Sequence, residues 1–317
     1  MAGVNPQDLI SDFEKDCRLR GLVNGSIKEY LSELRIFTHF LEENGGKQEG
    51  VDVLTVKRET LQEFLEYLKQ KRKLSVKRME NYFSGLNAFY DYLSFEGIIT
   101  VKPPVIEVRK RYIRRYKREI EPSKRKLISI LEMATLINSI LDIRDKAIVV
   151  LLAKTGIRRQ ELVTLDVGDI DWRDYSITLK RTSKRSNRVV FFDSECACVL
   201  RRWLKMREKV IGGTRGALFV GAGGERLNRS GVYNMVTLHA GKIGLHDPSS
   251  GKLEDHFTPH CLRHWNTTML LRGGMPWEYA KELRGDIRRE AIDIYHHIDR
   301  EDLRKSYLGC IPQLGIT

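Results

Sequence analysis

The chain has 317 residues and a formal net charge of +13, from 55 lysines and arginines against 42 aspartates and glutamates. At roughly 150 residues per domain this is room for about two cores, and no apolar run approaches the ~18–20 residues of a membrane span. The opening MAGVNPQDLISDFEKD carries acidic residues and lacks the basic-then-apolar order of a secretory signal.

Helices are predicted through the first hundred residues. Ser26-x-x-Glu29 has the form of a capping box, and Ile27, Tyr30, Leu34, Phe37 and Leu41 follow at three- and four-residue steps until Gly45 and Gly46. A second helix carries Leu61, Phe64, Leu65 and Leu68. A third opens near Ser75 and carries Met79, Phe83, Leu86, Phe89, Tyr90 and Leu93 before Gly97. Stripes at this spacing are core. The polar faces hold Lys57, Arg58, Lys69, Lys71, Arg72, Lys73, Lys77 and Arg78, which suits a small helical bundle lying on a polyanion.

From Pro103 to Pro122 runs PPVIEVRKRYIRRYKREIEP, followed at once by SKRK. A segment this basic can be a solvated, self-repelling linker. It can equally neutralise phosphates and release their condensed counterions. Tyr112 and Tyr116, interleaved at helical spacing with Arg111, Arg114, Arg115 and Arg118, favour nucleic acid.

A helix from about Leu131 then leads into the buried-looking stretch RDKAIVVLLAKTGIRRQEL. YSITLK and RVVFFD read as short strands joined by the basic turn RTSKRSN, a β-hairpin. The pattern is helical again from Ser194 through Leu200, Trp203, Leu204 and Met206. ALFVG is a short apolar run before a turn, because the glycines of GAGGERLNRS follow neither a Rossmann nor a P-loop order. Further helices begin at Ser230 and at Thr258-Pro259, where proline's missing N–H costs nothing. Cys17, Cys196, Cys198, Cys261 and Cys310 form an odd set without CxxC spacing and read as reduced thiols in the cytoplasm.

Several side chains sit where surface charge is not the obvious explanation. Arg158 follows an apolar helix and a Thr-Gly break, and Lys184 lies at the hairpin tip. His260 and Arg263, three apart near a helix start, are predicted to share a face. Converging on one point, they would suit a phosphodiester, whose oxygens guanidinium binds bidentately. Tyr295, in EAIDIYHHI, would then supply a nucleophile, although alone it reads as a packed ring. A different reading takes His256, His260 and His264, spaced by four, as a zinc-binding face with His296 and His297, giving a metal-dependent nuclease. Pro259 sets His256 before the helix, and neither HExxH nor a carboxylate set accompanies it.

Three motifs and a hairpin stretch carry a family resemblance. TGIRRQELVTLDVGDID resembles the TGLRxxEL motif of the tyrosine recombinase, or phage-type integrase, family, which includes Xer-like enzymes and mobile-element integrases. PHCLRHWNTTMLLRGG resembles its HxLRHxxAxxLxxxG motif. ELRGDIRREAIDIYHHI resembles LLGHxxxxxTxxYxH, and SKRSNRVVFFD resembles its hairpin-lysine stretch. The first hundred residues resemble the family's helical core-binding domain, so the likeness covers nearly the whole chain.

The resemblance implies that Tyr295 attacks a DNA phosphodiester, forms a 3′-phosphotyrosyl link and expels a 5′-hydroxyl. Arg158 and Arg263 would neutralise the transition state, Lys184 (or Lys180, one alignment step away) would protonate the leaving oxygen, and His260 would act as base. It implies no metal or nucleotide cofactor. The implied partners are double-stranded DNA and three further copies of the chain, a tetramer on two duplexes, compatible with accessory DNA-bending or directionality proteins and involving no membrane. Asp286 stands where the family has histidine or tryptophan, nine positions before Tyr295. It would orient an arginine, accept the phenol's proton, or point away. The expected fold is mainly α with a small antiparallel β-sheet, a two-domain C-shaped clamp. Its parts are a core-binding domain over 1–102, a basic linker over 103–127 and a catalytic domain over 128–317. The alternative is a sequence-specific DNA-binding protein without cleavage, which would need no tyrosine in register.

Overall fold

The protein is described by a computed structural model, over residues 6–45, 52–114, 126–180, 188–210, 216–286 and 298–316. It divides into two compact units, Met1–Pro122 and Ser123–Thr317. Both are mainly helical, and the second contains a small antiparallel sheet. Among the described residues no helix is long and apolar enough to cross a membrane.

The first unit comprises α1 (Pro6–Leu19), α2 (Asn24–Gly45), α3 (Arg58–Glu66), α4 (Val76–Phe95) and α5 (Val105–Val108). Leu9, Ile10, Phe13 and Cys17 give α1 a buried face, a helix the sequence reading left out. Its core is strongly aromatic. Phe13 meets Phe89 edge-on at 5.4 Å and Phe37 meets Phe64 at 4.8 Å, within the favoured range for ring pairs. The capping box expected at Ser26 is not formed, because α2 already runs from Asn24. The Glu29 carboxylate instead accepts from Arg78 and Asn81 of α4, at 2.9 and 3.3 Å, so it ties two helices together. Ser75 does cap α4, accepting from Arg78 N at 3.3 Å.

Residues 103–127 were expected to be linker. Their beginning is helical: α5 continues through a π-helical turn, Arg109–Arg114, and Val105, Val108 and Ile113 are buried in the first core. Tyr112 accepts a hydrogen bond from Gln62 at 2.7 Å. Tyr116, Arg115 and Arg118 lie outside the described residues.

In the second unit, α6 (Ile130–Ser139) is followed by α7 (Ile143–Thr155), whose residues Ala147–Ala153 are buried all round. A helix apolar on every side belongs at the centre of a core. Against it pack α9 (Ser194–Val210), α10 (Arg229–Lys242) and α11 (Pro259–Arg272). The predicted hairpin is present as β2 (Ser176–Leu179) and β3 (Arg188–Phe191), in a register that pairs Leu179 with Arg188. A short β1 (Ile170–Asp171) completes the sheet in the order β1-β2-β3. ALFVG makes isolated bridges, Ala217 with Asp166 and Val220 with Arg226. The remaining helices are α8 (Arg159–Thr164), α12 (Trp277–Arg284) and α13 (Arg300–Cys310).

Candidate active site

The site begins where α7 ends. Gly156 closes that helix in the left-handed conformation, φ 62°, which a residue with a Cβ adopts only with strain. Asn266 of α11 presses on the turn, its Oδ1 2.5 Å from where a Gly156 Cβ would stand. The Asn266 amide donates to the carbonyls of Ala153 and Lys154 at 3.0 and 2.7 Å, satisfying groups that a helix end leaves without partners. The turn delivers Arg158 to the start of α8.

Two predicted arginines converge. Arg158 Nη1 donates to Arg284 O at 3.0 Å, and Arg263 Nη2 donates to the same oxygen at 2.8 Å. That carbonyl ends α12, where the helix dipole is negative and draws cations. Arg263 Nη1 also donates to Gly156 O at 2.6 Å. Burial pulls the Arg263 guanidinium down to about 10, Glu161 and Asp286 push it back up, and Arg188 and Arg284 add to the fall. It stays protonated at neutral pH.

Glu161 and Arg188, which the sequence reading passed over, hold this arrangement. Glu161 is buried and accepts from Arg158 N at 2.7 Å. Arg188, buried on β3, grips it bidentately at 2.8 and 2.9 Å and donates through Nε to Leu283 O at 2.9 Å. One side chain thus joins the hairpin, the first arginine motif and the end of α12. The signal was a charged residue inside the strand RVVFFD, spaced to face inward. Gly285, at φ 60°, fits against Arg188, whose Nη1 lies 2.6 Å from the place of a Cβ.

Asp286 lies beside the arginines. Its Oδ1 is 3.7 Å from Arg158 Nη2 and 3.8 Å from Arg263 Nη2. Its Oδ2 is 2.8 Å from Arg284 Nε, close enough for an ion pair but off line for a hydrogen bond.

The other predicted residues stand as follows. His260 is on α11 but exposed, while Arg263 is buried, so the edge of the buried face passes between them. Lys180 is committed to Asp166, whose hydrogen bond raises its pKa, with Asp169 Oδ2 3.5 Å away. Lys184 and Tyr295, with His296 and His297, lie outside the described residues. Tyr307, the competing phenol, is buried and donates to Lys154 O at 3.0 Å, and burial holds its pKa well above the ordinary value. His256 precedes α11 and its Nε2 is bonded to Ser250 O at 2.7 Å. Among the described residues no group of three His, Cys, Asp or Glu could hold a metal.

Two arginines drawn to one part-buried carbonyl, with a third beside them, gather positive charge at one place in the second unit. The family follows from the match of residues 125–302 to the phage integrase family and of residues 9–96 to its N-terminal SAM-like domain: the chain belongs to the phage integrase family, whose activity is site-specific DNA recombination. It is similar to tyrosine recombinase XerC of Herpetosiphon aurantiacus, 29% identical over 89% of this chain and 87% of that protein. It is also similar to XerA of Saccharolobus solfataricus, 26% identical over 95% and 92%. Its fold resembles the XerH site-specific recombinase bound to a palindromic difH substrate, with TM-score 0.67 at 20% identity over 94% of this chain and 83% of that one. It resembles a lambda integrase dimer bound to a COC′ core site at TM-score 0.66 and 15% identity, over 93% and 98%.

Proposed function

We propose that the protein recombines double-stranded DNA through a phosphotyrosyl intermediate. The observation that carries this reading is the convergence of Arg158 and Arg263 on the Arg284 carbonyl, one motif before Tyr295 in the chain. The Tyr295 phenol attacks phosphorus, a bond forms from Oη to the 3′-phosphate, and the bond to the 5′-oxygen breaks. His260 takes the phenol's proton, and Lys184 gives one to the departing oxygen. A 5′-hydroxyl of a partner strand then reverses the step, so the ester energy is kept in the covalent link. Arg158 and Arg263 neutralise charge gathering on the non-bridging oxygens. Lys180 suits the acid's role less well, since Asp166 already holds it.

In this reading residues 1–102 bind the duplex, with the start of 103–127 packed on them and the rest connecting, and 128–317 cut. Four copies act on two duplexes in the cytoplasm, at the nucleoid.

The test is a nicked suicide duplex that traps covalent protein. Tyr295→Phe binds it and forms no adduct, whereas Tyr307→Phe still forms one. An adduct from Tyr295→Phe would sink the assignment. The second reading, DNA binding without cleavage, draws on Asp286, a carboxylate among the arginines; it requires that the unmodified chain trap nothing.

A further inference from the structure

Among the described residues the site has two carboxylates, Glu161 and Asp286, and they differ in how firmly they are held. Glu161 is buried, and three hydrogen bonds of 2.7 to 2.9 Å fix it to Arg158 N and the Arg188 fork. Asp286 is 37% exposed at its side chain. It faces Arg158, Arg263 and Arg284 at 3.7, 3.8 and 2.8 Å without hydrogen-bond geometry to any of them. Its backbone is anchored, since Asp286 N donates to Lys281 O at 3.3 Å after the left-handed Gly285. Its carboxylate is therefore an anion set against the same guanidinium groups that a phosphate would use, and rotation of one side chain is enough to withdraw it.

We propose that Asp286 is a built-in counter-anion, which occupies the phosphate seat of Arg158 and Arg263 when DNA is absent and is displaced by the DNA phosphate. The proposal rests on reading these arginines as phosphate ligands. A ligand that must first displace an internal competitor binds more weakly by the fraction of time the seat is open. This toll falls equally on every anion. A stray phosphate, with no other contact, feels all of it. A duplex has further contacts to offset it, so with Asp286 in place stray phosphate leaves the seat empty at concentrations where DNA still fills it, although the ratio of the two affinities is unchanged. It also relieves mutual repulsion among three clustered guanidinium groups, a second reason for a carboxylate at this position.

The test compares the full chain with Asp286→Asn, Asp286→Ala and Asp286→Glu, titrated with inorganic phosphate by calorimetry at low salt. Asn and Ala are expected to tighten phosphate binding about tenfold, the order of magnitude of one close, partly solvated charge pair. Glu, which keeps the charge, is expected to stay within about twofold of the parent. Adding Arg263→Ala to Asp286→Asn should abolish the gain.

Equal phosphate affinity in the parent, Asn and Ala forms overturns the proposal. So does a gain that survives loss of Arg263, since it would then reflect general surface charge. Thermal melts identify a variant that fails to fold, and the Ala and Glu pair then carries the comparison. The covalent-adduct assay is separate. A tightening without any DNA adduct keeps the counter-anion and removes the recombinase reading; an adduct without tightening does the reverse.

Discussion

Among the described site residues Arg263 is firmly held, with both terminal nitrogens bonded to main-chain oxygens of separate motifs. A guanidinium fixed in this way costs no reorganisation when charge develops in front of it. Arg263→Ala is therefore expected to slow adduct formation by about 10²–10³, with duplex binding changed far less. Single-turnover cleavage against gel-shift affinity separates the two. In the first unit, Glu33 is a carboxylic acid held at a cost. It is buried, neither oxygen has a hydrogen-bond partner among the described residues, and burial, then Glu29, pushes its carboxyl up to about 7. An acid whose folded pKa is raised is favoured protonated, so stability falls as pH rises from about 4.5 to about 7 and is level above. Glu33→Gln should remove that slope and raise stability at pH 8 by up to about 3 kcal/mol, read from urea melts across pH.

Elements bring these residues together, and the α7–α8 turn matters most. Gly156→Ala would place a Cβ on a left-handed backbone and 2.5 Å from Asn266 Oδ1. The expected cost is about 1–3 kcal/mol of stability, with slower cleavage because Arg158 moves with the turn. Unchanged melting and cleavage would show that the turn can relax. The hairpin acts similarly through β3, since its register sets Arg188 inward to hold Glu161. Arg188→Met should destabilise by about 3–5 kcal/mol, because it leaves a buried carboxylate without its main partner. Arg188→Lys should recover only part, being unable to form the fork.

At the scale of the whole second unit, the last residues are locked to the first buried helix. Lys154 is fully buried on α7 and reaches Asp193 at 2.5 Å, Glu195 at 2.6 Å and Pro312 O at 2.7 Å. Glu195 also accepts from Leu314 N and Ile316 N, each at 2.9 Å. Burial alone would raise its pKa, but Lys154 and those amides hold it below the ordinary value. A depressed carboxylate stabilises above its unfolded pKa and loses that contribution as pH falls through the folded one. The Leu314 and Ile316 amides should thus lose their exchange protection before the core does, as pH falls through the depressed Glu195 pKa, below the ordinary glutamate value of about 4.3. If both amides persist until global acid unfolding, the lock is not held by Glu195. Tyr307, between α13 and Lys154 O, belongs to the same seam.

Helical stripes and the hairpin could be read from order and spacing alone, and Arg158 and Arg263 could be named as candidates, because periodic burial and short motifs are local. Ser26 was misread for the opposite reason: its partner Glu29 found better bonds on α4, a contact about fifty residues away that no local pattern records. Glu161 and Arg188 were missed because a charged residue in a strand or first helical turn ordinarily meets water. What made them structural was the approach of three distant segments to one point. The same holds for Asp286. Its type was visible as a departure from pattern, but whether it would face the arginines depended on where the end of α12 comes to rest. Chain chemistry alone determined which groups are charged and which faces are apolar. Tertiary packing decided which charges meet, since Coulomb energy depends on separation in space and on exclusion of water, neither of which is a property of position along the chain.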